Sequence, residues 1–193
     1  AGYFDSAGII RDMVQSHIMQ VFALIAMEPP AAFEAGAIRD EKAKVLRSMH
    51  PFERQELATR VIRGQYVRGS VGGETVNGYL EEPGVPAGST TDTFVAMKCL
   101  IDNWRWSGVP FYIRAGKRLP KRVTEVSIVF KAPPLALVKQ AEGNGRTPNV
   151  LRLRIQPSEG ISLSLGAKVP GQLSRISPVR KDFMYSSALG VSS

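Results

Sequence analysis

"IIRDMVQSHIMQVFALIAME" occupies Ile9–Glu28. Ile10, Met13, Val14, His17, Ile18, Val21, Leu24 and Ile25 recur at helical spacing, which predicts an amphipathic helix over residues 7–27. Asp5 or Ser6 is placed to cap its start, and Pro29 and Pro30 stop it. One of only two histidines in the chain sits in the middle of this apolar helix. Arg11, Asp12 and Gln15 stand just before it, so the stretch has to supply polar chemistry as well as core.

Moving outward, "AIRDEKAKVLRSM" (37–49) predicts a second helix with Glu41, Lys42 and Lys44 on its wet side. "PFERQELATRVIRGQY" begins as a turn or short helix and becomes a strand. Residues 72–91, rich in Gly and Pro, read as a loop. "DTFVAMKCLIDNW" (92–104) predicts a third helix capped by Thr90 or Thr91, with Phe94, Met97, Leu100 and Ile101 inward. After Gly108 the period changes to two. "VPFYIRAG", "VTEVSIVFK", "NVLRLRIQP", "GISLSLGAKV" and "DFMYSS" predict strands joined by Pro, Gly, Asn and Ser turns. Helices first and strands later predict an α+β fold: an extended, largely antiparallel sheet with helices packed on one face. Residues 1–193 are expected to form one such domain.

The bulk numbers agree. Apolar residues make up 44% of the chain, enough for a core. No apolar run reaches 18 residues, so no membrane span is expected. "AGYFDSAG" has neither a basic region nor an apolar signal core, and no initiator Met, so the chain reads as processed or cut from something longer. The single cysteine, Cys99, is expected to be a buried small hydrophobe in a reducing compartment. One Cys and two His make a structural zinc site an unpromising reading, and no metal is expected. The net charge of +8 suits anionic partners. Its distribution argues against nucleic acid, since the basic residues alternate into strands and no nucleic-acid motif is present. No G-x-G-x-x-G follows a strand and no G-x-x-x-x-G-K-[ST] occurs; "GSVGGE" (69–74) is a lone glycine-rich stretch.

Four places could carry chemistry. His17 reads either as a half-buried histidine bonded to a neighbouring carbonyl or as a general base, since imidazole titrates near neutrality. Asp12 lies five positions earlier, about 140° round an α-helix, and is poorly placed to orient it. In "YIRAGKRLPKR", Gly116 permits close approach or positive φ. Lys117 and Arg122 there either bracket an anionic, hydroxyl-rich ligand at a strand end or form a solvated basic loop. Gln156, in phase with Arg152 and Arg154, offers a donor and acceptors to a sugar hydroxyl, or simply faces solvent.

"GYFDSAGIIRDMVQSHIMQ", "RDEKAKVLRSM", "GSTTDTF", "DNWRWSGVPFYIRAGKRLPKR" and "LRIQPSEGISL", in this order, resemble the glucose-6-phosphate dehydrogenases over nearly the whole chain. The resemblance implies the second, β+α domain of that family, with an N-terminal Rossmann coenzyme domain and the far C-terminal end lying outside residues 1–193. It implies oxidation of glucose 6-phosphate at C1 to 6-phosphogluconolactone with hydride transfer to NADP, the first step of the oxidative pentose phosphate pathway. His17 matches the family's general base, whose orienting aspartate belongs to the absent part. Asp12, Lys117, Arg122 and Gln156 match positions that bind the sugar phosphate. Arg114 and Arg154 match two positions of a second, structural NADP site found in some members; Val123 and Ser127 stand where other basic residues would complete it. Further implications are a homodimer or tetramer built through the sheet, no nucleic acid or membrane partner, and a cytoplasmic or plastid location. A non-catalytic, sheet-mediated dimerisation module is the alternative reading. The isolated chain is expected to be inactive.

Overall fold

The computed structural model describes residues 2–132, 148–171 and 176–190. They gather into two compact units, Ala1–Pro120 and Lys121–Ser193.

The first unit opens with a helical rod in three parts, kinked at Gly8. These are α1 (Gly2–Ile9), a π-helical segment (Ile10–Ile18) and α2 (Met19–Ala26). A short helix precedes the kink at Gly8, ahead of the long helix that the apolar periodicity marks. Asp5 and Ser6 are therefore inside that short helix rather than at the cap of the long one, and the Ser6 hydroxyl donates to the Tyr3 carbonyl at 2.8 Å. Gly8 interrupts α1 with φ 68° and ψ 168°, a conformation essentially closed to residues with a side chain. α3 (Ala35–Arg47) and α4 (Leu57–Arg60) follow.

Strands β1 (Val61–Gly64), β4 (Phe94–Cys99) and β5 (Phe111–Gly116) pair antiparallel in the order β1-β4-β5. β4 corrects the sequence reading of a third helix over 92–104. It is the central strand, bonded to both neighbours. Its near-continuous apolar run therefore carries helical and strand periodicity equally, and a short run of this kind cannot be assigned by period alone. Val95 and Cys99, on alternate positions, are fully buried against the helices. The threonine expected to cap that helix instead ties the loop before β4 to the rod: the Thr91 hydroxyl donates to the Asp5 carbonyl at 2.7 Å. The glycine-rich loop also contains structure. β2 (Gly69–Val71) and β3 (Glu74–Val76) form a hairpin whose two-residue turn, Gly72–Gly73, has positive φ at both positions. A 3₁₀ turn follows at Tyr79–Glu81.

Two apolar clusters fill the space between rod and sheet. Phe22, Ala26, Val45, Cys99, Ile101 and Ile113 make one, and Ile9, Val14, Val95 and Ala115 the other. Phe22 and Trp106 both meet Phe111 edge-on, at 5.0 and 5.1 Å, and the Trp106 indole N–H donates to the Ala26 carbonyl at 2.8 Å. Burial raises the Cys99 thiol pKa to about 11, which keeps it protonated and inert, as a core residue should be.

The second unit is an antiparallel meander, β6 (Thr124–Val129), β7 (Val150–Gln156), β8 (Gly160–Lys168) and β9 (Ile176–Met184), closed by α5 (Tyr185–Leu189). β9 ends at Met184, so Tyr185–Ser187 of the expected last strand are helical. The register sets Glu125, Arg152, Arg154, Ser162, Arg180 and Asp182 on one face. Leu151, Leu153, Ile161, Leu163, Val179 and Phe183 alternate onto the other. Among the described residues no helix is long and apolar enough to cross a membrane, and no group of three His, Cys, Asp or Glu could hold a metal.

Candidate active site

The π-helical segment contains both Asp12 and His17. A π-helix closes its hydrogen bonds from residue i to i+5, where an α-helix closes them from i to i+4. The two side chains thus stand one π turn apart, and the angle of about 140° that α geometry would give does not apply. The Ser16 hydroxyl follows the same register, donating to the Arg11 carbonyl five residues back at 2.8 Å. Val14 is buried in the core and holds the segment against β4 and β5. His17 is solvent-exposed rather than half-buried, and among the described residues no side chain or carbonyl hydrogen-bonds its ring. It is placed to meet a ligand from solution.

Lys117 follows directly after β5, and its backbone N–H donates to the Thr93 carbonyl at 2.9 Å. Its ammonium lies 3.5 Å from the Asp12 carboxylate and 4.6 Å from the centre of the Phe4 ring. Gly116 is required by space and not by φ: a Cβ there would come within 2.9 Å of the Phe94 ring and 3.1 Å of Leu119. The next residue after Lys117, Arg118, takes the left-handed conformation (φ 56°), and its guanidinium pairs with Glu82. That hydrogen bond, seconded by the Tyr66 hydroxyl, holds the guanidinium pKa above its usual value.

Behind Phe4 stands a wall of fixed polar and aromatic groups. Phe4 meets Tyr79 edge-on at 6.1 Å, and Tyr79 meets Tyr66 at 5.6 Å. The Tyr79 hydroxyl donates to Asp5 at 3.0 Å, and Ser89 donates to the same carboxylate oxygen. The Ser89 bond, with those from Tyr79 and Thr91, lowers the Asp5 pKa against the opposing effect of burial. Burial, with the Asp5 carboxylate beside it, pushes the Tyr79 phenol up to about 12. Asp5 is therefore an anchor that ties α1 to the loop before β4. Sequence reasoning passed over Phe4, Tyr79 and Arg118, and took Asp5 only as a possible helix cap. Their partners lie far away along the chain, and no local spacing marks them.

The other expected residues belong to the second unit. Gln156 is the last residue of β7, exposed, and pairs across the ladder with Thr124, two residues after the exposed Arg122. Arg122 and Gln156 are thus brought to the same end of the β6–β7 pair. Arg114 is exposed on β5 of the first unit, opposite Ala96. Arg154 lies on the polar face of the second unit, opposite Glu125, and lines a shallow depression with Arg152, Arg180 and Asp182. Arg180 bonds Asp182 at 2.8 Å and holds its pKa below the usual carboxylate value, with Arg154 adding to the same field. A dinucleotide cradle needs a glycine turn opening a helix. The Gly72–Gly73 turn joins two strands instead, so the described residues do not fit the reacting coenzyme.

Helices packed on one face of an antiparallel sheet, with an exposed histidine and a partly exposed ion pair beside it, define an α+β domain carrying a candidate site. Residues 1–193 match the family model for the glucose-6-phosphate dehydrogenase C-terminal domain, and the chain belongs to that family. It is 49% identical over 189 residues to glucose-6-phosphate 1-dehydrogenase of Aggregatibacter actinomycetemcomitans, covering 98% of this chain and 37% of the relative. It is 52% identical over 170 residues to the enzyme of that name from Zymomonas mobilis, covering 88% of this chain and 34% of the relative. The solved glucose-6-phosphate 1-dehydrogenase of Mycobacterium avium superposes with a TM-score of 0.76 at 40% identity, over 94% of this chain and 36% of that one. A glucose-6-phosphate dehydrogenase solved in complex with its substrate glucose-6-phosphate superposes with a TM-score of 0.80 at 37% identity, over 100% of this chain and 37% of that one. The chain therefore spans little more than a third of the length of these relatives.

Proposed function

We propose that residues 1–193 act as the substrate half of a glucose-6-phosphate dehydrogenase, within a longer parent enzyme whose separate Rossmann domain holds NADP. The observation that carries this reading is the meeting of Asp12 and Lys117, 105 positions apart in sequence, at residues the family resemblance assigns to the sugar phosphate. In this reading the C1 hydroxyl of glucose 6-phosphate gives its proton to His17. The C1–H bond breaks with its electron pair leaving as hydride, and the C1–O bond becomes the carbonyl of the lactone. A coenzyme held elsewhere in the parent enzyme would supply the acceptor for that hydride. Lys117 and Arg122 attract the anionic sugar phosphate, Asp12 accepts from a sugar hydroxyl while restraining Lys117, and Gln156 donates to and accepts from hydroxyls.

The proposal includes a homodimer or tetramer formed through the sheet. It is supported by Ile161, Val179 and Phe183, which leave 36–45% of their surface exposed on the apolar face of the second unit. It also includes a cytoplasmic site of action, and a structural NADP site that Arg114 and Arg154 would serve without basic partners at Val123 and Ser127.

The test is coenzyme reduction, followed by NADPH absorbance, with the parent enzyme and purified residues 1–193 side by side. The parent is expected to reduce NADP only when glucose 6-phosphate is present, and residues 1–193 alone are expected to reduce none. Holding donor and acceptor together supplies roughly 7–11 kcal/mol of such a barrier. A parent enzyme indifferent to glucose 6-phosphate would overturn the reading.

A further inference from the structure

Lys117 poses a positioning problem. A lysine that binds an anion has to be fixed, yet its four-carbon stem is among the most mobile of side chains. The Asp12 carboxylate at 3.5 Å is farther away than the 2.7–2.9 Å usual for a charge-assisted hydrogen bond, so it restrains the ammonium only loosely. A second, closer carboxylate would fix it better but would also cancel its charge and repel a phosphate. An aromatic face solves both difficulties, because its quadrupole attracts the cation without adding net negative charge.

The Phe4 ring is such a face. Its centre lies 4.6 Å from the ammonium, inside the range of a cation–π contact. The ring is itself immobilised. It stands edge-on to Tyr79, which is 4% exposed and tied through its hydroxyl to Asp5, the residue after Phe4. We propose that Phe4 is a positioning residue for substrate binding: it holds the Lys117 ammonium over its face so that the charge stays aimed at, and available to, the anionic sugar. This rests on the reading of Lys117 as a substrate-binding residue given above.

The experiment uses the parent enzyme with Phe4→Leu, Phe4→Tyr and a ring-trifluorinated phenylalanine at position 4, each also in a Lys117→Met background. Phe4→Leu is expected to raise KM for glucose 6-phosphate roughly threefold to thirtyfold, with kcat and KM for NADP changed less than about twofold. Phe4→Tyr should restore KM. The trifluorinated ring keeps the shape of phenylalanine but loses its negative face, and should raise KM as Phe4→Leu does. In the Lys117→Met background none of these changes should add more than about twofold. The proposal is overturned if the fluorinated ring leaves KM unchanged, or if the position 4 variants cost as much without Lys117 as with it. Should Lys117→Met itself leave KM for glucose 6-phosphate unaltered, the assignment of Lys117 to the substrate fails instead, and the role of Phe4 fails with it.

Discussion

The Lys117 ammonium stands 3.5 Å from the Asp12 carboxylate, joining the first turn after strand β5 to the π-helical segment that also carries His17. Both side chains are partly exposed, 44% for Lys117 and 23% for Asp12. An ion pair so placed contributes about 0–1 kcal/mol to stability. Asp12→Ala should therefore lower the unfolding free energy by no more than that, while raising KM for glucose 6-phosphate in the parent enzyme at least severalfold. Chemical denaturation and steady-state kinetics on the same preparation separate the two effects. A large stability loss with unaltered KM would show that the pair is structural.

Gly8 offers a test of the rod itself. Its φ of 68° and ψ of 168° lie where a Cβ is strained, although space is available, the nearest atom being the Thr91 methyl at 3.7 Å. Gly8→Ala should cost about 1–3 kcal/mol from backbone strain alone. Thermal denaturation of residues 1–193 measures it. A neutral substitution would mean that the kink at Gly8 within α1 is not needed.

Asp5 sets the behaviour in acid. Its native pKa lies below the ordinary 3.8 because Ser89, Tyr79 and Thr91 hydrogen-bond to it, Ser89 most strongly. In the window below about 3.8 the unfolded chain binds the proton more readily than the native one, so stability rises with pH there. The contribution is fully present above 3.8 and is lost as pH falls through the native value. Asp5→Asn should flatten this acid limb, as read from denaturant midpoints across the window. An unchanged slope would remove Asp5 as its source.

How far the sequence carried the structure depends on the kind of interaction involved. The rod from Ile9 and helix α3 were legible because an apolar stripe at helical spacing has one good solution. Strands β5 to β8 were legible because residue types alternate with period two along them, as Arg does with Leu and Ile in β7. β4 was not, since its near-continuous apolar sequence hides the alternation of its burial, in which Val95 and Cys99 are the buried positions. The π register of Asp12 and His17 was equally invisible. It is a property of which carbonyl each N–H selects, and composition does not record it. The candidate sugar-binding residues could be named from family resemblance, but the Phe4 face under Lys117 could not, because the contact exists only once β5 has been laid beside the rod.

The central claim is that His17 takes the C1 proton of glucose 6-phosphate, and the parent enzyme carrying His17→Asn tests it most directly. NADPH formation under saturating substrate gives turnover, and equilibrium binding gives the affinity for glucose 6-phosphate. A general base contributes about 10²–10⁴-fold, so turnover should fall by at least a hundredfold while glucose 6-phosphate still binds with affinity within a few-fold of the unaltered enzyme. Turnover within about tenfold of the unaltered enzyme would contradict the claim.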